Sequence, residues 1–170
     1  MSTEIQAALS RAADETVAVA FDRIYRTSAA DLWAAVTDPE RLARWYAPVE
    51  GELRVGGTFV QKFDDMDAPV CTIVACEPAS SFAFTWPVGG VDTLLTVTVT
   101  AAGDDARLTL VHERLTALAA AGYGAGWETY LDPFLTAHLA GHEASDWMEI
   151  WQERHAAYGA ALRERGWLVE

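Results

Sequence analysis

The run Ser28-Ala29-Ala30-Asp31-Leu32-Trp33-Ala34-Ala35-Val36-Thr37-Asp38-Pro39-Glu40-Arg41-Leu42-Ala43-Arg44-Trp45 holds two helix starts in close succession. Ser28 offers a side-chain oxygen to the free N–H groups of a first turn, and Asp31 takes the acidic place of a capping box. Leu32, Trp33 and Val36 then give this helix an apolar side. Asp38-Pro39-Glu40 restarts the chain, with Pro39 at a first helical position, where its missing N–H costs nothing. Leu42, Trp45 and Tyr46 form the buried side of the second helix, and Pro48 ends it.

The flanks of this helix pair are strand-like. Before it, residues 16–25 alternate Val17, Val19 and Phe21 with smaller or polar residues, the period of a half-buried strand. After it, Leu53-Arg54-Val55 runs into the turn signal Gly56-Gly57, and residues 58–64 follow as the next strand. Asp64-Asp65-Met66-Asp67 reads as an acidic turn, and residues 70–76 as a strand stopped by Glu77-Pro78. Phe82-Ala83-Phe84-Thr85-Trp86 alternates and ends at Pro87, residues 95–100 alternate most cleanly, and Ala102-Gly103-Asp104-Asp105 turns them into residues 107–115. Six such strands with short connections predict an antiparallel meander, hence an α+β fold. Beyond it, Trp127, Tyr130, Leu131, Phe134, Leu135 and His138 share one helical stripe. Pro133 interrupts that stripe and is expected to kink the helix. A further helix is expected over residues 145–165. With no repeat or linker, residues 16–165 read as a single domain preceded by an N-terminal segment, 1–15.

The order strand, two short helices, six strands, long helix is distinctive. Residues 29–45 resemble the opening signature of the AHSA1-like branch of the SRPBCC (START-like, helix-grip, Bet v 1-like) superfamily. Leu53-Arg54-Val55-Gly56-Gly57-Thr58-Phe59 is similar to that branch's glycine-pair strand entry. Glu77-Pro78 with Phe84-Thr85-Trp86, Arg107-Leu108-Thr109-Leu110-Val111-His112 and Gly126-Trp127 complete the likeness. The resemblance implies a seven-stranded antiparallel sheet around a long C-terminal helix, with a cavity between them that takes a small, mostly apolar or aromatic ligand. It also implies two alternatives. The branch is named for an activator of the Hsp90 ATPase, which implies an Hsp90-associated or other protein-interaction domain. A minority of the superfamily are enzymes of the cyclase or hydratase kind. Two local departures stand out: Pro133 within the long helix, and Glu128 after the Gly-Trp pair, where histidine is common.

Composition narrows the partners. Twenty-five acids against twelve bases give a formal net charge of −13. Phosphate contacts demand a basic face, so nucleic acid is excluded, and an anionic membrane surface is disfavoured. Yet 51% of the residues are hydrophobic, far too many for a disordered acidic chain. Residues 1–14 show no basic n-region or apolar h-region, and no run of 18 apolar residues occurs. The expectation is a cytoplasmic protein without a membrane span. Cys71 and Cys76, on opposite faces of one regular strand and about 16 Å apart, are expected to be reduced thiols.

Strand parity puts His112 on the face of Leu108 and Leu110. Phe84 and Trp86 share a strand face, and Trp127, Tyr130 and Phe134 share a helix face. These six residues are the expected cavity lining, with His112 as acid or base only in the enzyme alternative. No nucleophile, catalytic constellation or cofactor motif surrounds them. His138 and His142 have helical metal-ligand spacing but lack a third ligand and the HExxH pattern, so no metal site is expected. Gly56-Gly57 lacks the context of a phosphate loop, and Lys62 shares strand parity with Thr58 and Asp64, as an exposed lysine would.

Overall fold

The computed structural model describes residues 4–63 and 68–169. Eight strands form one antiparallel sheet in the order β1-β2-β8-β7-β6-β5-β4-β3. They are β1 (Ala8–Arg11), β2 (Val17–Tyr25), β3 (Val49–Gly51), β4 (Thr58–Gln61), β5 (Val70–Glu77), β6 (Ser81–Val88), β7 (Val91–Ala102) and β8 (Asp105–Leu115). Between β2 and β3 lie α1 (Ala29–Thr37) and α2 (Pro39–Trp45). After β8 come α3 (Ala117–Thr129), a π-helical turn (Tyr130–Phe134), α4 (Leu135–Leu139) and α5 (Trp147–Glu164). This is the helix-grip arrangement. Alternate residues of the central strands, including Leu95, Val97 and Val99 on β7 and Leu108 and Leu110 on β8, are buried on the face that α1 and α3 cover.

The helix pair forms as its caps dictate. The Ser28 Oγ accepts the Asp31 N–H at 3.1 Å, and Asp38 Oδ1 accepts the Glu40 N–H at 3.0 Å. Trp45 anchors α2 on α1 by donating from Nε1 to the Ala35 carbonyl at 2.9 Å.

Four sequence expectations need correction. The sheet has eight strands, not seven, because Ala8–Arg11 within the N-terminal segment pairs antiparallel with Val17–Ala20. Residues 53–55 are not a strand: the Gly57 N–H closes a turn on the Arg54 carbonyl, with Gly56 at φ +82°. The strand that pairs with β4 lies earlier, at Val49–Gly51. In β5 the register slips between Ile73 and Ala75. A bulge adds one residue to a strand and so resets its inward parity; Cys76 consequently returns to the face of Cys71 and Ile73 instead of opposing it. Both cysteines are free thiols. β6 also runs on through Pro87, which stands opposite Asp92. The acidic turn 64–67 lies outside the described residues.

Pro133 is absorbed without a break. The Leu135 N–H reaches five residues back to the Tyr130 carbonyl, the π-helical spacing. The Leu131 carbonyl, which an α-helix would pair with Leu135, accepts the Tyr25 hydroxyl at 2.7 Å. Arg23 grips the same turn through Asp132, at 2.6 and 3.3 Å. Strand β2 thus supplies partners that a regular helix would not need.

The long helix begins at Ala117, ten residues before the aromatic stripe. Its first half is small because α5 packs against it: Ala120, Ala121, Gly124 and Ala125 are buried. A Cβ built on Gly124 would stand 2.6 Å from the Tyr158 ring, whereas one on Gly122 finds nothing nearer than Trp151 at 4.0 Å. Alanine normally stabilises a helix interior over glycine by about 1 kcal/mol. Gly122→Ala is therefore expected to raise the urea midpoint. Gly124→Ala is expected to lower it, by about 1–3 kcal/mol of overpacking. Equal midpoints for the two variants would refute this account of the α3–α5 contact.

Candidate functional site

Between the sheet and the helices lies a pocket of about 320 Å³. Its floor is β7 and β8, through Leu95, Val97, Leu108 and Leu110. One wall is β4, β5 and β6, through Phe59, Ile73, Cys76, Phe82 and Phe84; Cys76 takes part because of the bulge in β5. The opposite wall is α1 and α2, through Trp33, Val36, Leu42, Trp45 and Tyr46, and the long helix closes the end with Trp127 and Leu131. The exposed Leu53 and Pro78 stand at the rim. Among the described residues, no lining side chain carries a charge. The polar members are few: Thr37, Tyr46, Gln61 and the Cys76 thiol, with the indole N–H groups of the tryptophans.

The six residues expected from sequence form one connected chain of rings. Phe84 stacks on Trp86 at 6.3 Å, and Trp86 stacks on His112 at 5.6 Å and meets Trp127 edge-on at 5.8 Å. Trp127 approaches Tyr130 at 6.5 Å, and Tyr130 meets Phe134 at 6.1 Å. Of the six, Phe84 and Trp127 line the pocket. Trp86 and His112 stand behind Trp127. Tyr130 backs Tyr46 at 4.8 Å, and Phe134 lines a separate polar recess with Arg44, His138 and His142.

His112 is wholly buried, and its hydrogen bonds have one consistent direction. The Trp127 indole can act here only as a donor, and its Nε1 gives a hydrogen bond to His112 Nδ1 at 3.1 Å. The ring proton therefore sits on Nε2, which donates to Thr93 Oγ1 at 2.8 Å. Thr93 in turn donates to the Trp86 carbonyl at 2.7 Å. Both ring nitrogens are engaged, and the imidazole is neutral. Burial pushes its pKa down to about 3.

Two other sequence features resolve into supports. Glu128 is fully buried away from the pocket; its Oε1 accepts the Gln6 N–H at 2.6 Å, and its Oε2 lies 3.7 Å from Arg154 Nε. Burial raises its pKa above the usual carboxylate range. It thereby joins the N-terminal segment and α5 to the long helix. His138 Nε2 accepts from Arg41 Nε at 3.1 Å, and Arg41 also holds Asp31 at 2.8 Å, tying α4 to α2 and α1. Lys62 pairs with Glu50 at 2.8 Å.

Sequence reasoning did not pick out Tyr46 and Gln61 as site residues. Gln61 shares inward parity with Phe59 on β4, and a polar residue at an inward position of an apolar strand was the available signal. It is 2% exposed and accepts a hydrogen bond from the Tyr46 hydroxyl.

With this architecture in view, the comparisons with known proteins are coherent. The family model described as Activator of Hsp90 ATPase homolog 1-like protein matches residues 26–140. The chain belongs to this family, the AHSA1-like branch of the SRPBCC proteins. It is similar to the crystal structure of CalU16 from Micromonospora echinospora, at 28% identity over 94% of this chain and 98% of that one, with a TM-score of 0.76. The solution structure of CalU16 matches at 27% identity over 98% of this chain and 100% of that one, with a TM-score of 0.75. DynU16, a protein of the dynemicin biosynthetic locus, shares the fold at 23% identity over 74% of this chain and 48% of that one, with a TM-score of 0.67. No curated protein matches the sequence. Among the described residues, no helix is long and apolar enough to cross a membrane.

The buried imidazole makes a testable contribution to acid sensitivity. Unfolded, His112 takes up a proton near its ordinary pKa of about 6.5; folded, it does so only near 3. Between these values the unfolded state binds more protons, so stability falls as pH falls. Relative to His112→Gln, the wild-type protein is expected to lose about 1.4 kcal/mol per pH unit between pH 6 and pH 4. Parallel pH–stability curves from urea titrations would contradict this placement of the proton.

Proposed function

We propose that the protein binds a small, mostly apolar ligand in the pocket between the sheet and the long helix. The observation that carries this reading is the pocket itself: about 320 Å³ lined almost entirely by aliphatic and aromatic side chains, with few polar groups, of which Tyr46 and Gln61 are hydrogen-bonded to each other. Ligand sites for small molecules are typically of this composition and of about this size or larger. A core serving stability alone is packed to near crystal density and has few voids beyond a water molecule. The His112 relay speaks for binding rather than acid–base turnover, since neither ring nitrogen is turned to the pocket and the imidazole resists protonation.

The test uses N-phenyl-1-naphthylamine, a neutral apolar fluorophore. Binding is expected to enhance its emission, quench tryptophan fluorescence and raise the melting temperature. At a hundredfold excess over Kd the stabilisation is about 2.7 kcal/mol. Val97→Phe, which fills the floor from a central strand that tolerates aromatic residues, is expected to weaken binding at least about tenfold, equivalent to 1.4 kcal/mol, with an unchanged circular dichroism spectrum. No thermal shift with the wild-type protein, or undiminished binding by a folded Val97→Phe variant, would defeat the proposal.

A further inference from the structure

We infer that the pocket selects an uncharged, ring-bearing ligand carrying one hydroxyl group, which Tyr46 and Gln61 recognise together. The inference rests on the binding function proposed above and adds the chemistry of the ligand.

Charge is settled by what the wall lacks. No Lys, Arg, His, Asp or Glu is among the described lining residues. An ion brought into such a space loses its hydration and finds no counter-charge, a cost far larger than a hydrogen bond returns. Ring character follows from flat aromatic walls. Phe82 and Phe84 lie nearly parallel, 6.2 Å apart at 7°, and Tyr46 and Trp127 are stacked at 5.8 Å and 14°; all four line the pocket. Such surfaces match aromatic or fused-ring faces.

The hydroxyl follows from a count of donors and acceptors. The Tyr46 hydroxyl spends its proton on Gln61 Oε1, and among the described residues nothing donates to the Tyr46 oxygen in return. The Gln61 amide has two N–H donors; among the described residues its partner is the Cys71 sulfur, a weak acceptor, at 3.7 Å. The pair thus retains one good acceptor on Tyr46 and one N–H on Gln61, side by side. A ligand hydroxyl satisfies both, donating to Tyr46 and accepting from Gln61. A ketone or ether satisfies only the amide, and a bare hydrocarbon satisfies neither. Burial drives the Tyr46 pKa well above its ordinary value, so the phenol keeps its proton and the polarity of the pair is fixed.

The experiment compares naphthalene, 2-naphthol, 2-methoxynaphthalene and 2-naphthoate at pH 7 by tryptophan quenching and calorimetry. The wild-type protein is expected to bind 2-naphthol about tenfold more tightly than naphthalene, as two modest hydrogen bonds allow. The methoxy compound, which cannot donate, falls between them, and the carboxylate binds at least about tenfold more weakly than the naphthol. The double variant Tyr46→Phe/Gln61→Leu replaces both polar partners by apolar groups of similar shape, a change that is nearly neutral for folding. It is expected to bind naphthalene more tightly than the wild type does, because no polar group is left unpaired, and to lose the preference for 2-naphthol. Equal wild-type affinities for naphthalene and 2-naphthol, or a preference that survives the double variant, would overturn this inference while leaving the binding function standing. Tight binding of 2-naphthoate would overturn the requirement for neutrality. Failure of every probe to bind would overturn both readings.

Discussion

The hydrogen bond from the Trp127 indole to His112 sets how the helix meets the sheet, and much else follows from it. Trp127 is one of the two residues by which the long helix closes one end of the pocket, while His112 sits on β8, an interior strand of the sheet. A bulky indole could pack on an apolar strand in several ways. A directed bond to one ring nitrogen leaves few. The relay continues through Thr93 to the Trp86 carbonyl, so β6, β7, β8 and α3 are linked by groups with no freedom to reverse polarity. Such fully satisfied buried networks are rigid and specify one arrangement. The histidine here acts as a polar fastener for the wall of an apolar space.

The fold was legible in the sequence wherever one periodicity ran uninterrupted. The alternation of residues 95–100 and 107–115, and the caps at Ser28 and Asp38, mark elements whose local preference and tertiary environment agree. The misreadings fall where that agreement fails. Ala8–Arg11 is a short, largely exposed edge strand, so its sequence carries little hydrophobic pattern. Leu53 and Val55 look like strand residues but are exposed in a turn set by Gly56 and Gly57. The first half of the long helix shows no apolar stripe because its small residues face other elements on more than one side, including Tyr158 of α5.

The site was legible as a set of rings rather than as a surface. All six candidate residues belong to the same aromatic chain, yet two of them line the pocket. Parity says which face a side chain takes; it does not say which residue stands in front of another on that face. That depth is fixed by the helix–sheet distance, a long-range property of the packed molecule. The bulge in β5 is a similar case: one extra residue brings Cys76 to the pocket, and nothing in Val70-Cys71-Thr72-Ile73-Val74-Ala75-Cys76 announces it.

The acidity of the chain and the neutrality of the pocket belong to one arrangement. Much of the basic complement is committed to ion pairs: Arg23 with Asp132, Arg41 with Asp31, Arg107 with Asp22, and Arg154 with Glu128. The surplus of acids over bases, 25 against 12, is then a net negative field. Such a field lowers the local concentration of anions before any contact is made. Inside, a wall whose described side chains carry no charge penalises any ion that does arrive. Under the binding function proposed above, exterior and interior discriminate by different physics, one long-ranged and screened by salt, the other short-ranged and insensitive to it. An anion meets both barriers, a cation only the second, and a neutral molecule neither.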